Sequence, residues 1–216
     1  MLPINKNFLN KMPPLSHFSN PPFEALIAEC QATPNITDQA VAVCVTKTWV
    51  ETAVIGLNLC PFAKAVYRKK QIRYVVSDAT NQETLELALE NELTFLKTAD
   101  PEDIDTTLLI HPYVLQDFVD YNNFLKTAQR ILKQQGLRGQ IQIASFHPQY
   151  EFAHCAGDAP ENYTNRSPFP MLHLLREKSI ETALNAAGDA DDIYLRNIDT
   201  LQTLGVAGWN ELWKPT

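Results

Sequence analysis

The length and composition of the chain fit one globular domain. Its 216 residues are 45% hydrophobic and 20% charged, and no stretch approaches the roughly 20 consecutive apolar residues that a membrane-spanning helix needs. The net charge of −7 argues against recognition of nucleic acid through a broad basic face. We therefore expect neither a membrane nor a nucleic acid as a partner.

The cysteines and the N-terminus bear on the cellular compartment. Cys30, Cys44, Cys60 and Cys155 lack the density and regular spacing of a disulfide framework. Residues 1–15 contain no hydrophobic run of the length that a secretory signal requires. These features predict a cytoplasmic protein with reduced thiols.

The predicted elements begin after a proline-rich arm. Residues 1–34 contain six prolines, each of which fixes φ and removes a backbone donor. We assign residues 35–216 to a single α/β domain. A strongly apolar helix over about residues 38–57 opens this domain, and its apolar faces predict burial on more than one side.

Strand and helix patterns alternate in the middle of the chain. Strands are predicted at residues 72–77, 106–110 and 140–146, with amphipathic helices at residues 82–97 and 114–135 between them. This order is typical of parallel βαβ units. The sequence therefore predicts a three-stranded parallel βαβαβ core with a buried N-terminal helix.

The last third of the chain is predicted to be helical. Ser167 is a good N-cap with Pro168 at the first helical position, which predicts a helix to about residue 185. Asp189 is the predicted cap of a second helix that ends near Gly205. Two or more C-terminal helices would then complete the domain.

Chemically active side chains follow each of the three predicted strands. Asp78, His111 and His147 would meet at one edge of the sheet, because all carboxyl ends of parallel strands lie there. Such a set can transfer protons, and it also resembles a site with two histidines and one carboxylate for a metal. A structural role is the alternative, with Asp78 capping a helix and the histidines binding backbone. We expect no tightly bound metal and no cofactor.

Cys60 directly precedes a predicted helix start at Pro61. The dipole of a helix N-terminus stabilises a thiolate, so Cys60 is a candidate nucleophile. The Cys-Pro-Phe-Ala string resembles the active-site cysteine of omega-class glutathione transferases and glutaredoxin-like folds, although no second cysteine completes a CxxC pair. Free cysteine is more often a small buried hydrophobe.

A long irregular segment, residues 147–168, follows the third strand. Segments of this length without regular structure are usually functional or disordered, and several aromatic side chains here favour order. Arg166, with the free N–H groups of the predicted helix, forms a candidate anion cradle. Its alternative partner is Glu161, and His173 is by default an ordinary, partly buried histidine.

Five strings make the chain resemble one known family. They are residues 54–63 (VIGLNLCPFA), 107–112 (TLLIHP), 141–148 (IQIASFHP), 161–168 (ENYTNRSP) and 170–177 (PMLHLLRE). The chain is similar, from about residue 40 to its end, to a bacterial family classified only as a domain of unknown function, serial number 1415. The resemblance implies no activity. The residues that match its motifs one by one are Cys60, His111, His147, Asn162, Asn165, Arg166, His173 and Arg176.

Three hypotheses follow. The first is a small cytoplasmic enzyme that acts on a small anionic metabolite, with Cys60, Asp78, His111 and His147 as catalytic residues. Its ligand would be held by Asn162, Asn165, Arg166, His173 and Arg176. The second is a non-catalytic module that binds a ligand or partner in the same cavity, and the third is a thiol redox protein using Cys60. The sequence leaves the choice and the oligomeric state open.

Overall fold

The computed structural model describes Leu15 and residues 20–153, 155–187 and 190–214. The helices are α1 (Glu24–Gln31), α2 (Asp38–Trp49), α3 (Ala63–Arg68), α4 (Gln82–Thr98), α5 (Phe118–Gln134), α6 (Glu177–Ala187) and α7 (Ala190–Glu211). The strands are β1 (Ile72–Val76), β2 (Thr106–Ile110), β3 (Ile141–Phe146) and β4 (Met171–Arg176). A π-helical segment, Val50–Ile55, continues α2, and short 3₁₀ helices lie at Pro21–Phe23 and Pro160–Thr164.

The strands form one mixed sheet in the order β1-β2-β4-β3. Strands β1 and β2 are parallel, and β4 is antiparallel to both β2 and β3. The mixed α/β class is as expected, but the prediction of a strictly three-stranded parallel core is wrong because β4 inserts between β2 and β3. Strands β1, β2 and β3 still point the same way, so their carboxyl ends share one edge.

The predicted helix from Ser167 to about residue 185 is wrong in its first half. Residues Met171–Arg176 form β4, and the helix begins only at Glu177. Strand β4 is central and is packed on both faces, and such a strand carries apolar residues without alternation. The run Met-Leu-His-Leu-Leu has this composition, so its periodicity did not distinguish a buried strand from a buried helix.

Local capping explains where the other helices begin and end. The Asp117 carboxylate accepts hydrogen bonds from the N–H groups of Val119 and Asp120 at 2.8 and 3.1 Å, so α5 begins there rather than at residue 114. Gly136, at φ 69°, ends α5 in the left-handed conformation that favours glycine. The predicted cap Asp189 lies outside the described residues, and α7 continues to Glu211 through a kink at Gly205.

The sheet separates two apolar layers. On one face, α4 and α5 pack against Leu109, Leu172 and Leu174. On the other face, α1, α2 and α7 pack around Leu108, Ile110 and Met171 in a cluster that includes three buried tryptophans. This second layer holds the larger of the two cavities considered below.

Residues 20–34, which are the described part of the predicted arm apart from Leu15, are largely helical. Phe23, Leu26 and Ile27 are buried in the core, so this segment packs with the domain. Cys30 of α1 and Cys44 of α2 form a disulfide, which corrects the prediction that all four thiols are reduced. Cys60 and Cys155 are free.

Candidate functional site

The two histidines at the carboxyl edge are both fully buried. His111 and His147 are each 0% exposed, and each packs against the ring of Tyr121, with ring centroids 5.9 and 5.0 Å apart. Burial lowers the pKa of each imidazole to about 4, because a buried cation lacks hydration. Both side chains are therefore neutral at pH 7.

Backbone groups occupy most of the hydrogen-bonding capacity of these rings. His147 Nε2–H donates to Leu115 O at 3.2 Å, and His147 Nδ1 accepts from the N–H of Gln149 at 3.0 Å. His111 Nδ1–H donates to Val114 O at 3.1 Å, while its buried Nε2 has no partner. The two rings therefore mainly stabilise the backbone segments that follow β2 and β3.

Asp78 does not complete a proton-transfer set with them. Its side chain is exposed, whereas both nitrogens of His147 are already paired with backbone. The N-cap of α4 is Asn81, whose side chain accepts from the N–H of Thr84 at 2.9 Å. Asp78 therefore does not cap α4, and among the described residues no hydrogen bond joins it to either histidine.

Three of the predicted ligand-binding residues, Asn162, Asn165 and Arg166, stabilise the loop after β3. Asn162 is fully buried; its Oδ1 accepts from the N–H of Phe152 at 2.9 Å and its Nδ2 donates to Ala156 O at 2.8 Å. Asn165 Nδ2 donates to Ser145 O at 3.0 Å. These bonds connect the described residues of the loop with one another and with the end of β3.

Arg166 also fastens this loop. Its guanidinium lies over the ring of Tyr163 at 4.7 Å, Nε–H donates to Tyr150 O at 3.2 Å, and Nη2 donates to Gly157 O. No helix begins at Ser167, so the predicted anion cradle of Arg166 and a helix N-terminus is wrong. Arg166 instead lines a small cavity of about 390 Å³ beside Phe169 and Trp209.

A larger cavity of about 790 Å³ lies on the face of the sheet that carries Leu108 and Phe146, between that face and the helices that contain Trp49 and Val66. Neither His111 nor His147 lines it. Three of the predicted site residues do, namely Cys60, His173 and Arg176. The structure thus divides the predicted site into a buried edge, a braced loop and this cavity.

His173 reaches the cavity from the centre of the sheet. It pairs with Leu108 of β2 and Ala144 of β3, so its side chain shares the face that Trp49 and Phe146 also line. The rings form a continuous aromatic wall: Trp49 and Phe146 centroids are 5.4 Å apart, and those of Phe146 and His173 are 6.1 Å apart. Burial lowers the pKa of His173 to about 4, so the imidazole is neutral at pH 7.

Cys60 lines the same cavity in a less reactive state than the sequence suggests. Burial raises the pKa of its thiol, and bonds from the N–H groups of Phe62 and Ala63 lower it by less. These N–H groups are the favourable contact expected before a helix start. Because burial dominates, the thiolate fraction at neutral pH is small.

Arg176 closes one end of the cavity rather than standing free in it. Its Nη2 donates to Leu96 O and Ala99 O at 2.6 and 2.7 Å, which stabilises the C-terminal carbonyl groups of α4. Its Nε lies 4.0 Å from Asp105 Oδ1, and Ser179 Oγ–H donates to the same oxygen at 2.6 Å. Its main contacts are therefore structural.

Charges around this cavity balance. Three cations and three anions line it: Lys69, Arg176, Lys178, Asp100, Glu102 and Asp105. Of its other lining side chains, most are apolar and the remainder are polar and uncharged. The site therefore has no net charge that would select an anion.

Sequence reasoning missed Thr106, Trp49 and Phe146 as cavity residues. Thr106 and Leu108 alternate on one face of β2, which was visible in the sequence. Their meeting with His173 was not visible, because residues 171–176 were assigned to a helix. Only the register of β4 brings these side chains together.

One comparison with known proteins gives a match. The model of the family described as "Protein of unknown function (DUF1415)" matches residues 42–211. No curated protein and no solved structure matches the chain. Among the described residues, no helix has the length and apolar character to span a bilayer, and no group of three or more His, Cys, Asp or Glu side chains is placed to hold a metal ion.

Proposed function

The chain belongs to the protein family of unknown function DUF1415, and because that description assigns no activity, we propose a function from the large cavity. The protein binds a small, uncharged and largely apolar molecule there. The observation that carries this proposal is the 790 Å³ cavity with mostly apolar walls and one neutral imidazole. Small-molecule sites typically have about 300–1,000 Å³ and a few placed polar groups.

The balance of charges supports an uncharged ligand over the small anion expected from the sequence. Lys69 lies 3.9 Å from Glu102, and Arg176 lies 4.0 Å from Asp105. The other two charged residues of the cavity lining, Lys178 and Asp100, are exposed. An anion would gain little from cations that already have acidic neighbours, and it would also meet the acidic groups.

Resting protonation states favour binding over catalysis. A general base works best when its pKa is near the operating pH, whereas the pKa of His173 is about 4. The raised pKa of Cys60 leaves little thiolate for nucleophilic or redox chemistry. The enzyme hypothesis based on His111 and His147 has less support because both rings are buried and bonded to backbone.

A pair of fluorescent dyes with the same aromatic body tests the proposal. N-phenyl-1-naphthylamine is uncharged, and 8-anilinonaphthalene-1-sulfonate adds an anionic group. We expect saturable fluorescence enhancement with the uncharged dye and weaker binding of the sulfonate. Tighter binding of the sulfonate would support the anionic ligand predicted from the sequence. If neither dye binds the folded protein, the proposal is wrong.

A substitution tests whether the dye binds in the cavity. Val54 lines the cavity, whereas Val119 is 66% exposed at the start of α5. Val54→Phe adds bulk to the site and should weaken dye binding by at least about tenfold, while the matched control Val119→Phe should not. Equal binding by two folded variants would show that the dye binds elsewhere.

We keep three predictions about the cellular compartment, the source organism and the partners of the protein. A cytoplasmic location, a bacterial origin and the absence of nucleic acid as a partner stay predictions from the sequence. The Cys30–Cys44 disulfide favours an oxidising compartment and weighs against the first of them. Trapping free thiols with a maleimide in intact cells, followed by mass spectrometry, would show whether the Cys30–Cys44 disulfide is formed in the cell.

A further inference from the structure

We infer that the ligand of the large cavity presents a hydrogen-bond donor, a hydroxyl or an N–H group on an aromatic body, to Nδ1 of His173. This inference rests on the proposed binding function and specifies the chemical class of the ligand. Phenols and fused-ring analogues with one hydroxyl are the simplest members of that class. Ethers and ketones with the same body lack the donor.

The tautomer of His173 follows from its bonded neighbour. Thr106 Oγ1 lies 2.7 Å from Leu174 O and 2.7 Å from His173 Nε2. A carbonyl oxygen can only accept, so the single hydroxyl proton of Thr106 goes to Leu174 O. Thr106 Oγ1 must then accept from the ring, which places the proton of the neutral imidazole on Nε2.

The other ring nitrogen is consequently an acceptor without a donor. Nδ1 of neutral His173 carries a lone pair, and the described residues supply no hydrogen bond to it. His173 is half-buried and lines the cavity, and its Nε2 is already bonded to Thr106, so Nδ1 is the ring nitrogen left for a ligand. A ligand that brings a donor satisfies this nitrogen, whereas a ligand that offers only acceptors leaves it unpaired.

The walls beside His173 indicate the body of the ligand. Trp49, Phe146 and His173 form the aromatic wall described above, and aromatic rings favour edge and offset contacts with other rings. Val54 and Leu108 complete an apolar surface around it. A flat aromatic body against this wall would carry its hydroxyl or N–H within reach of Nδ1.

Two compounds that differ in one methyl group test the donor. We would measure displacement of N-phenyl-1-naphthylamine by 2-naphthol and by 2-methoxynaphthalene. In the wild-type protein we expect 2-naphthol to bind about tenfold more tightly, the equivalent of one net hydrogen bond. In His173→Phe, which keeps an aromatic ring and removes the acceptor, the preference should disappear, and the dye, whose own N–H loses the same acceptor, should bind more weakly but still measurably.

The outcomes separate this inference from the proposed function. Equal affinities of the two compounds for the wild-type protein would overturn the donor inference and leave the binding function intact. A preference for 2-naphthol that persists in His173→Phe would assign it to another group and would also overturn it. No binding of the dye or of either compound would remove both proposals together.

A spectroscopic measurement on the wild-type protein does not depend on how the variant folds. Long-range ¹H–¹⁵N correlation of the imidazole should show a protonated Nε2 and an unprotonated Nδ1. Addition of 2-naphthol should shift the Nδ1 signal, whereas 2-methoxynaphthalene should leave it nearly unchanged. A proton on Nδ1 in the free protein would contradict the assignment from Thr106 and the inference built on it.

Discussion

The buried neutral histidines should make the fold unusually sensitive to mild acid. The pKa of His111 and that of His147 fall from 6.5 to about 4 on folding. As the pH falls below 6.5, the unfolded chain takes up protons first, so stability is fully present above that value and is lost down to about pH 4. His173 adds to the same loss, because its pKa is lowered in the same way.

The size of the effect follows from the linkage between protons and stability. As the pH falls through this window, each histidine lowers the free energy of unfolding by about 1.4 kcal/mol per pH unit. Between pH 6.5 and about 4.5, the two fully buried rings together remove about 5 kcal/mol from the free energy of unfolding. Because small domains have about 5–15 kcal/mol in total, the protein should become marginal near pH 4.5.

Urea denaturation followed by tryptophan fluorescence at several pH values measures this slope. Trp49, Trp209 and Trp213 are all buried, so their emission should report global unfolding. His111→Phe removes one titrating ring and should reduce the slope by about 1.4 kcal/mol per pH unit. A free energy of unfolding that stays constant from pH 7 to about 4.5, or an unchanged slope in His111→Phe, would refute the reasoning.

Three further predictions concern single side chains. Tyr121→Phe should lower the free energy of unfolding by about 1–3 kcal/mol, because its buried hydroxyl donates to one strand carbonyl at 2.8 Å and accepts from one strand N–H at 3.0 Å; the exposed control Tyr194→Phe should be neutral in urea titrations. Cys44→Ser should lower the free energy of unfolding by about 3 kcal/mol without reductant, since the bond to Cys30 joins residues 14 positions apart in the sequence, and dithiothreitol should abolish the difference. Cys60 should react slowly with iodoacetamide at pH 7 because burial raises its pKa; rapid alkylation of the folded protein would contradict this.

Local signals allowed the sequence to predict most elements of the fold. The middle strands and helices follow from bounded apolar runs, from amphipathic helical patterns and from Gly136 at the end of α5. These signals act within one turn or one strand, so neighbouring residues suffice to determine them. The common edge of β1, β2 and β3 also follows, because helical crossovers join strands that run the same way.

The candidate site depended far more on contacts between distant parts of the chain. Sequence reasoning selected Cys60 and His173, but it could not say that they share a cavity away from His111 and His147. It also could not foresee that Asn162, Asn165 and Arg166 form hydrogen bonds with backbone groups of their own loop and of β3. Such partners are set by how the loop folds back onto β3.

The residue types by themselves determined the mixed α/β class, the acidic charge and the concentration of histidines at strand ends. Only the tertiary structure decided that residues 171–176 form the central strand β4, because a segment buried on both faces carries no alternation that distinguishes strand from helix. That strand then sets the chemistry of His173. Its register places the imidazole against Thr106, and the one proton of that hydroxyl determines which ring nitrogen remains open to a ligand.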